Sequence, residues 1–118
     1  MPDQLLRMNL QGAVQIIELT LPEVLDSAQF DELNDAAQQA IDAAPAGGWV
    51  IDLTGTDYMG SAVLGLLVNI RQRIRQKGGQ LILCGLSPRL TSVFHACSLE
   101  RLFAIVKTRP EALRAAQA

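Results

Sequence analysis

Trp49-Val50-Ile51-Asp52-Leu53 is a nearly unbroken apolar run, entered through Gly47-Gly48 and left through the polar segment Thr54 to Gly60. A strand with one wet face alternates apolar with polar residues. A continuous run suits a strand covered on both faces, and such strands lie inside mostly parallel sheets flanked by helices. Parallel neighbours need crossover connections, so amphipathic helices are expected on either side of this run. Before it, Phe30, Leu33, Ala37, Ala40, Ile41 and Ala44 recur at the spacing of one helical face. Asp26 or Ser27 can cap that helix, with Gln29 in capping-box position three residues beyond Asp26, and Pro45-Ala46-Gly47-Gly48 ends it. After it, a second helix is predicted from Ser61 to Lys77, with Leu64, Leu67, Ile70 and Ile74 inward and Arg71, Arg73, Arg75 and Lys77 largely solvated. Gly78-Gly79 stops this helix as a left-handed C-cap would, and its terminal bases suit the negative end of its dipole.

The remaining elements follow the same logic. Leu81 to Cys84 reads as a strand, and Ser87-Pro88 supplies a capping hydroxyl and an N1 proline to a third helix carrying Leu90, Val93, Phe94 and Cys97. Phe103 to Val106 is a last strand and Arg109 to Ala116 a terminal helix. At the front, Leu5 to Leu10 and Ala13 to Leu21 are apolar stretches separated by Gln11-Gly12, which predicts an antiparallel hairpin. The order is β-β-α-β-α-β-α-β-α, an α/β fold with a mixed sheet. Phe30, Leu33, Ile41, Leu64, Leu67, Leu81, Leu83 and Phe94 are its expected core.

The chain has 118 residues, 49% of them apolar, which makes one domain over 1–118. Surface scaling predicts burial of about two-thirds of the unfolded area, enough for a core without staples. Cys84 and Cys97 lack metal or redox spacing and are expected as buried thiols. The longest apolar run, counting Gly65, is Ala62 to Val68, far too short to span a bilayer. No export signal is apparent at the N-terminus, so a cytoplasmic location is expected. Residues 1–60 carry a formal charge of −9 and residues 61–118 one of +7. The basic half is poor in aromatics for stacking bases, and nucleic-acid binding is not expected.

Catalytic signatures are scarce. His95 is the only histidine and has no ligand partner at helical spacing. Dinucleotide, phosphate-loop and nucleophile-elbow motifs are missing. Asp52 and Asp57 lie five apart, but two carboxylates without a third anchor make a weak cation site. No catalytic, cofactor or metal site is therefore expected. The stretch VIDLTGTDYMGSAVLGLL, Val50 to Leu67, is more informative. It delivers Ser61 to the first turn of a helix, where free N–H groups favour negative charge. That position suits a phosphoserine, although on the residues alone an ordinary N-cap serine is the preferred reading.

This stretch resembles the signature of the STAS domain family (sulfate transporter and anti-sigma factor antagonist), particularly bacterial anti-sigma factor antagonists. In those, a strand ending in D-L-S leads through an aromatic residue into Met-Asp-Ser-Ser-Gly-Leu-Gly and an apolar helix. Asp52-Leu53-Thr54, Tyr58-Met59, Ser61 and Leu64-Gly65 stand at the corresponding positions. Leu25-Asp26 matches the Leu-Asp of the family's turn before the first helix, and Ser87-Pro88 opens the helix after the fourth strand as in family members. Gly60, Ala62 and Val63 depart from the pattern, replacing an acid, a second hydroxyl and a glycine.

The resemblance implies a STAS-like fold and a non-enzymatic partner-switching regulator. Unphosphorylated, such a protein binds an anti-sigma factor that is also a serine kinase; phosphorylated, here on Ser61, it lets go, and a phosphoserine phosphatase resets it. The implied interface is Asp26, Asp57, Gly60, Ser61, Ala62 and Leu64, not the basic run Arg71 to Lys77, and homodimerisation is left open. Within the family the alternative is a subunit of a lipid-transport ABC complex or a signalling scaffold without phospho-switching. A receiver-like reading, with Asp52 as phosphoacceptor and Lys107 beside it, conflicts with the opening hairpin and with Cys84-Gly85 after the fourth strand.

Overall fold

The structure, a computed structural model, describes residues 5–117. Five strands form one sheet in the order β1-β2-β3-β4-β5: Leu6–Gln11, Val14–Leu19, Gly48–Asp52, Gln80–Cys84 and Ala104–Val106. The first pair is antiparallel and the other three pairings are parallel. Four α-helices accompany them: α1 (Ser27–Ala43), α2 (Ser61–Gln76), α3 (Pro88–Ala96) and α4 (Arg109–Gln117). A strand order equal to the chain order, with a helix in each parallel crossover, follows from right-handed connections that all return on one face. The opening hairpin excludes a receiver-type topology, which needs a helix between the first two strands. Among the described residues, no helix is long and apolar enough to cross a membrane.

The sheet divides the core in two. Ile17, Leu19, Trp49, Ile51, Leu53, Leu81 and Leu83 face α1, α2 and α3, whereas Val14, Ile16, Val50, Ile82 and Cys84 face α4 through Ala112 and Ala116. The unbroken run at β3 is explained by this: Trp49 and Ile51 pack to one side while Val50 packs to the other. Seven of the eight expected core residues are buried, but Phe30 is only half-buried at the edge of the main cluster.

Local chemistry sets the element ends, with four differences from the sequence-based reading. Gln11 pairs with Val14, so the hairpin turn is Gly12-Ala13, one residue later than predicted. Gly12 takes φ of 62°, the conformation that a two-residue turn with glycine first requires. Lys77 is half-buried and engaged, not largely solvated: its Nζ donates to the carbonyls of Ile41 at 2.6 Å and Ala44 at 2.5 Å, closing the end of α1, whose last turn has no base of its own. Arg73 of the same run pairs with Asp42. Leu99–Arg101 forms a 3₁₀ turn after Ser98, which has φ of 58°.

The fourth difference concerns the thiols. Cys84 is buried on β4, but Cys97 is the C-cap of α3 and exposed, its amide closing the helix where the packed face ends. Burial first, and then the charge of Asp52, pushes the Cys84 thiol up to about 11 against the opposing pull of Arg109. In the native protein one thiol should therefore react with an Ellman-type reagent within minutes, and the second only on unfolding. Substituting Cys97→Ser should remove the fast phase.

Candidate functional site

Three loops meet beyond the carboxyl ends of β2, β3 and β4, where ligands of open α/β sheets commonly bind. The β3–α2 loop is anchored by Thr56, the sole buried polar residue among those described. Its hydroxyl donates to the Leu19 carbonyl at 2.9 Å and accepts from the Leu21 amide at 3.1 Å. One side chain thus satisfies two backbone groups at the exit of β2 and ties that exit to the loop carrying Ser61. Met59 continues the anchoring as an apolar plug, 2% exposed.

The helix starts differ in a way that matters. Asp26 is the N-cap of α1, accepting from Gln29 N at 2.7 Å, and Gln29 Oε1 accepts from Asp26 N at 3.0 Å, completing the expected capping box. In α2 the N-cap is Gly60, with no side-chain cap, and Ser61 is the first helical residue. The N-cap alternative for Ser61 is thereby removed. Ser61 is exposed, and its hydroxyl makes no hydrogen bond among the described residues. Ala62 is exposed beside it, whereas Leu64 is 8% exposed and belongs to the core cluster, supporting the patch from beneath.

The segments 21–27 and 58–63 form the two lips of a groove of about 560 Å³ that also takes in Phe30 and Asp31. Leu21, Leu25, Phe30, Met59 and Val63 give it an apolar floor. Glu23, Asp26 and Asp31 are its charged lining residues, and no Lys, Arg or His lines it. Gly60, Ser61 and Ala62 stand on the same rim. Of the six expected interface residues, Asp26, Gly60, Ser61 and Ala62 come together here, Leu64 lies below, and Asp57 is just outside, 3.4 Å from Arg89. Sequence patterning had not pointed to Phe30, Glu23, Tyr58 or Arg89 as site residues. Arg89 could not have been found that way, since it reaches Glu23 across 66 positions of sequence.

Asp52 and Asp57 are not a pair. Asp52 lies on the α4 face, where its Oδ1 accepts from Thr54 Oγ1 at 2.6 Å and Thr54 N at 3.0 Å, and its Oδ2 accepts from Arg109 Nε at 3.0 Å. Arg109 also pairs with Glu18. The hydroxyl at position 54 therefore locks the end of β3, and Gly85 beside it, at φ of 77°, leaves no room for a Cβ, which would sit 2.4 Å from Thr54 Oγ1. Burial alone would raise the Asp52 carboxyl, but the bonds from Thr54 and the charge of Arg109 outweigh it and hold the group below its ordinary 3.8. A depressed pKa stabilises the fold above the unfolded value, and this contribution disappears as pH falls through the folded one. Asp52→Asn is expected to cost about 1–2 kcal/mol at pH 7. Urea titrations should show the difference from wild type shrinking below the ordinary carboxylate range.

The fold is a small open α/β module with a pinned loop, a groove and an accessible hydroxyl beside it. The chain belongs to the STAS domain family, whose profile matches residues 7–112. It is 30% identical over 95 residues to BtrV of Bordetella bronchiseptica, a protein described as an anti-sigma factor antagonist, covering 80% of this chain and 81% of that one. A solved STAS-domain anti-sigma-factor antagonist from Planctomyces limnophilus superposes with a TM-score of 0.81 at 25% identity, over 93% of this chain and 96% of that one. The Bacillus cell fate determinant SpoIIAA shares the fold at 19% identity, with TM-scores of 0.75 for its unphosphorylated form, over 92% of both chains, and 0.68 for its phosphorylated form, over 93% of this chain and 97% of that one.

Proposed function

We propose that this chain is an anti-sigma factor antagonist that works by partner switching in the cytoplasm. Unphosphorylated, it holds an anti-sigma factor with serine kinase activity through the groove rim at Asp26, Gly60, Ser61 and Ala62, with Asp57 alongside. Phosphorylated on Ser61 it releases that partner, and a phosphoserine phosphatase restores it. The observation that carries this reading is Ser61 itself: exposed, first in α2, free of capping duty, and set on the rim of an apolar groove. Ala62 offers no competing hydroxyl, so a kinase reaching this turn has one target. BtrV carries the description anti-sigma factor antagonist, and SpoIIAA has been solved in phosphorylated and unphosphorylated forms.

The physics of release is local. A phosphate adds about −1.5 to −2 charge and three acceptor oxygens that hold water strongly. A partner covering the apolar floor must exclude that water, at a cost no new contact on this acidic rim offsets. The modified chain stays folded because the free N–H groups of α2 favour an anion at its start, by about 0.3–1 kcal/mol. The test is a pull-down from the native cytoplasm with wild type, Ser61→Ala and Ser61→Asp, the captured protein being identified by mass spectrometry and then used with ATP to map the phosphate. Wild type and Ser61→Ala should capture an anti-sigma kinase, and the phosphate should fall on Ser61. Capture of transport or scaffold proteins by all three variants would replace the switch with the non-switching alternative.

A further inference from the structure

Arg89 does not line the groove, yet it contacts both lips. Its guanidinium pairs with Glu23 on the β2–α1 lip, lies 3.4 Å from Asp57 Oδ2 in the β3–α2 loop, and sits over the Tyr58 ring with its central carbon 4.8 Å from the centroid. Among the described residues no other cation pairs with either acid. The start of α3 is itself fixed to the same loop, because Pro88 opens the helix and the Ser87 hydroxyl, which caps Leu90 N at 3.1 Å, also reaches the Asp57 carbonyl at 3.4 Å. Thr56 ties the lips together from below, inside the core, and Arg89 does so from outside, in solvent.

We propose that Arg89 is a positioning residue, a solvent-side clasp that holds the two lips of the groove at their binding separation; its bearing on partner affinity rests on the reading of the groove given above. Exposed ion pairs add little to global stability, but loops open locally at far lower cost than the whole fold, so a clasp of this strength acts on the lips and not on the sheet. An arginine is suited to it, because the guanidinium lies over the Tyr58 ring while one of its nitrogens, Nη1, faces both carboxylates; a lysine ammonium can meet the acids but has no planar group to lay on the ring. The clasp is also screened by salt, unlike the buried Thr56 bonds, so the groove should loosen as ionic strength rises.

Amide hydrogen exchange on the full chain tests this, comparing wild type, Arg89→Ala and Arg89→Lys at low and 1 M salt. Peptides covering 20–26 and 54–62 should exchange at least about threefold faster in Arg89→Ala, while those covering 48–52 and 80–84 stay as in wild type. Wild type at 1 M salt should approach the Arg89→Ala pattern, and Arg89→Lys should recover part of the protection at low salt. Equal exchange of the lips in all variants, or a loss of protection that spreads to the sheet, would overturn the proposal. The anti-sigma protein identified with the Ser61 series supplies a second arm. Loosened lips with weaker capture support both readings; loosened lips with unchanged capture leave the clasp standing and remove the groove as the partner site.

Discussion

Ser61→Asp is expected to weaken binding of the anti-sigma partner by at least about tenfold, while Arg73→Ala changes it by less than about twofold. Both residues belong to α2, so the comparison keeps helix and fold constant and varies only the end that is altered. At the N-terminal end, Ser61 stands beside the apolar groove floor, and a carboxylate there resists the drying that partner contact requires. At the C-terminal end, Arg73 is already engaged with Asp42, and its neighbour Lys77 closes α1. Those contacts account for half of the basic run without a ligand. Aspartate carries only part of a phosphate's charge, so the phosphorylated protein should lose more than the tenfold set for the variant. Titration calorimetry with the identified partner reads both variants directly. If charge reversal at Arg71 and Arg75 abolished binding while Ser61→Asp left it intact, the functional face would be the opposite end of α2 and the switch would fall.

Much of this architecture is legible because it is written in short-range patterns. The capping box at Asp26 and Gln29, the Ser87-Pro88 start of α3 and the unbroken run at β3 each require only neighbours in sequence, and each is present as read. The pattern also puts Ser61 in the first turn of α2, but taken alone it favours a capping role that Ser61 does not have. That distinction depends on whether Gly60 or Ser61 takes the extended backbone conformation of the N-cap, and Gly60 does. What stayed hidden depends on tertiary contact. In sequence terms the dipole of its own helix accounts for Lys77, whereas its ammonium serves the carbonyls of another. Cys97 shares the apolar spacing of Leu90 and Phe94 but falls at the helix end, where periodicity no longer implies burial. Arg89 gains its meaning only when α3 is laid beside two loops distant in sequence.

Phe30 and Leu67 fit their helical stripes equally well, and truncating them should separate stability from binding. Leu67 is fully buried in the middle of α2, within the main cluster that this helix shares with one face of the sheet. Leu67→Ala removes three carbon atoms from a site whose surroundings cannot collapse far, because the sheet behind it is held by parallel pairing on both sides. Destabilisation of about 2–5 kcal/mol is expected, read as a lower urea midpoint with little change in slope. Phe30 is half-buried and lines the open groove, so Phe30→Ala gives up part of a transfer term already incomplete in the free protein and leaves no closed cavity. Its stability cost should be about 1–2 kcal/mol, well below that of Leu67→Ala, although phenylalanine is the larger side chain. Partner affinity should show the reverse order at a temperature where both variants are folded. Loss of the Phe30 ring removes an apolar surface that the partner covers, and at least about a tenfold weakening follows if that ring is a central anchor. Leu67→Ala, once folded, should bind within about threefold of wild type, since Leu67 does not line the groove. A Phe30→Ala variant as destabilised as Leu67→Ala, with partner affinity unchanged, would mean that the ring is a core residue after all and that the groove floor is not read by the partner.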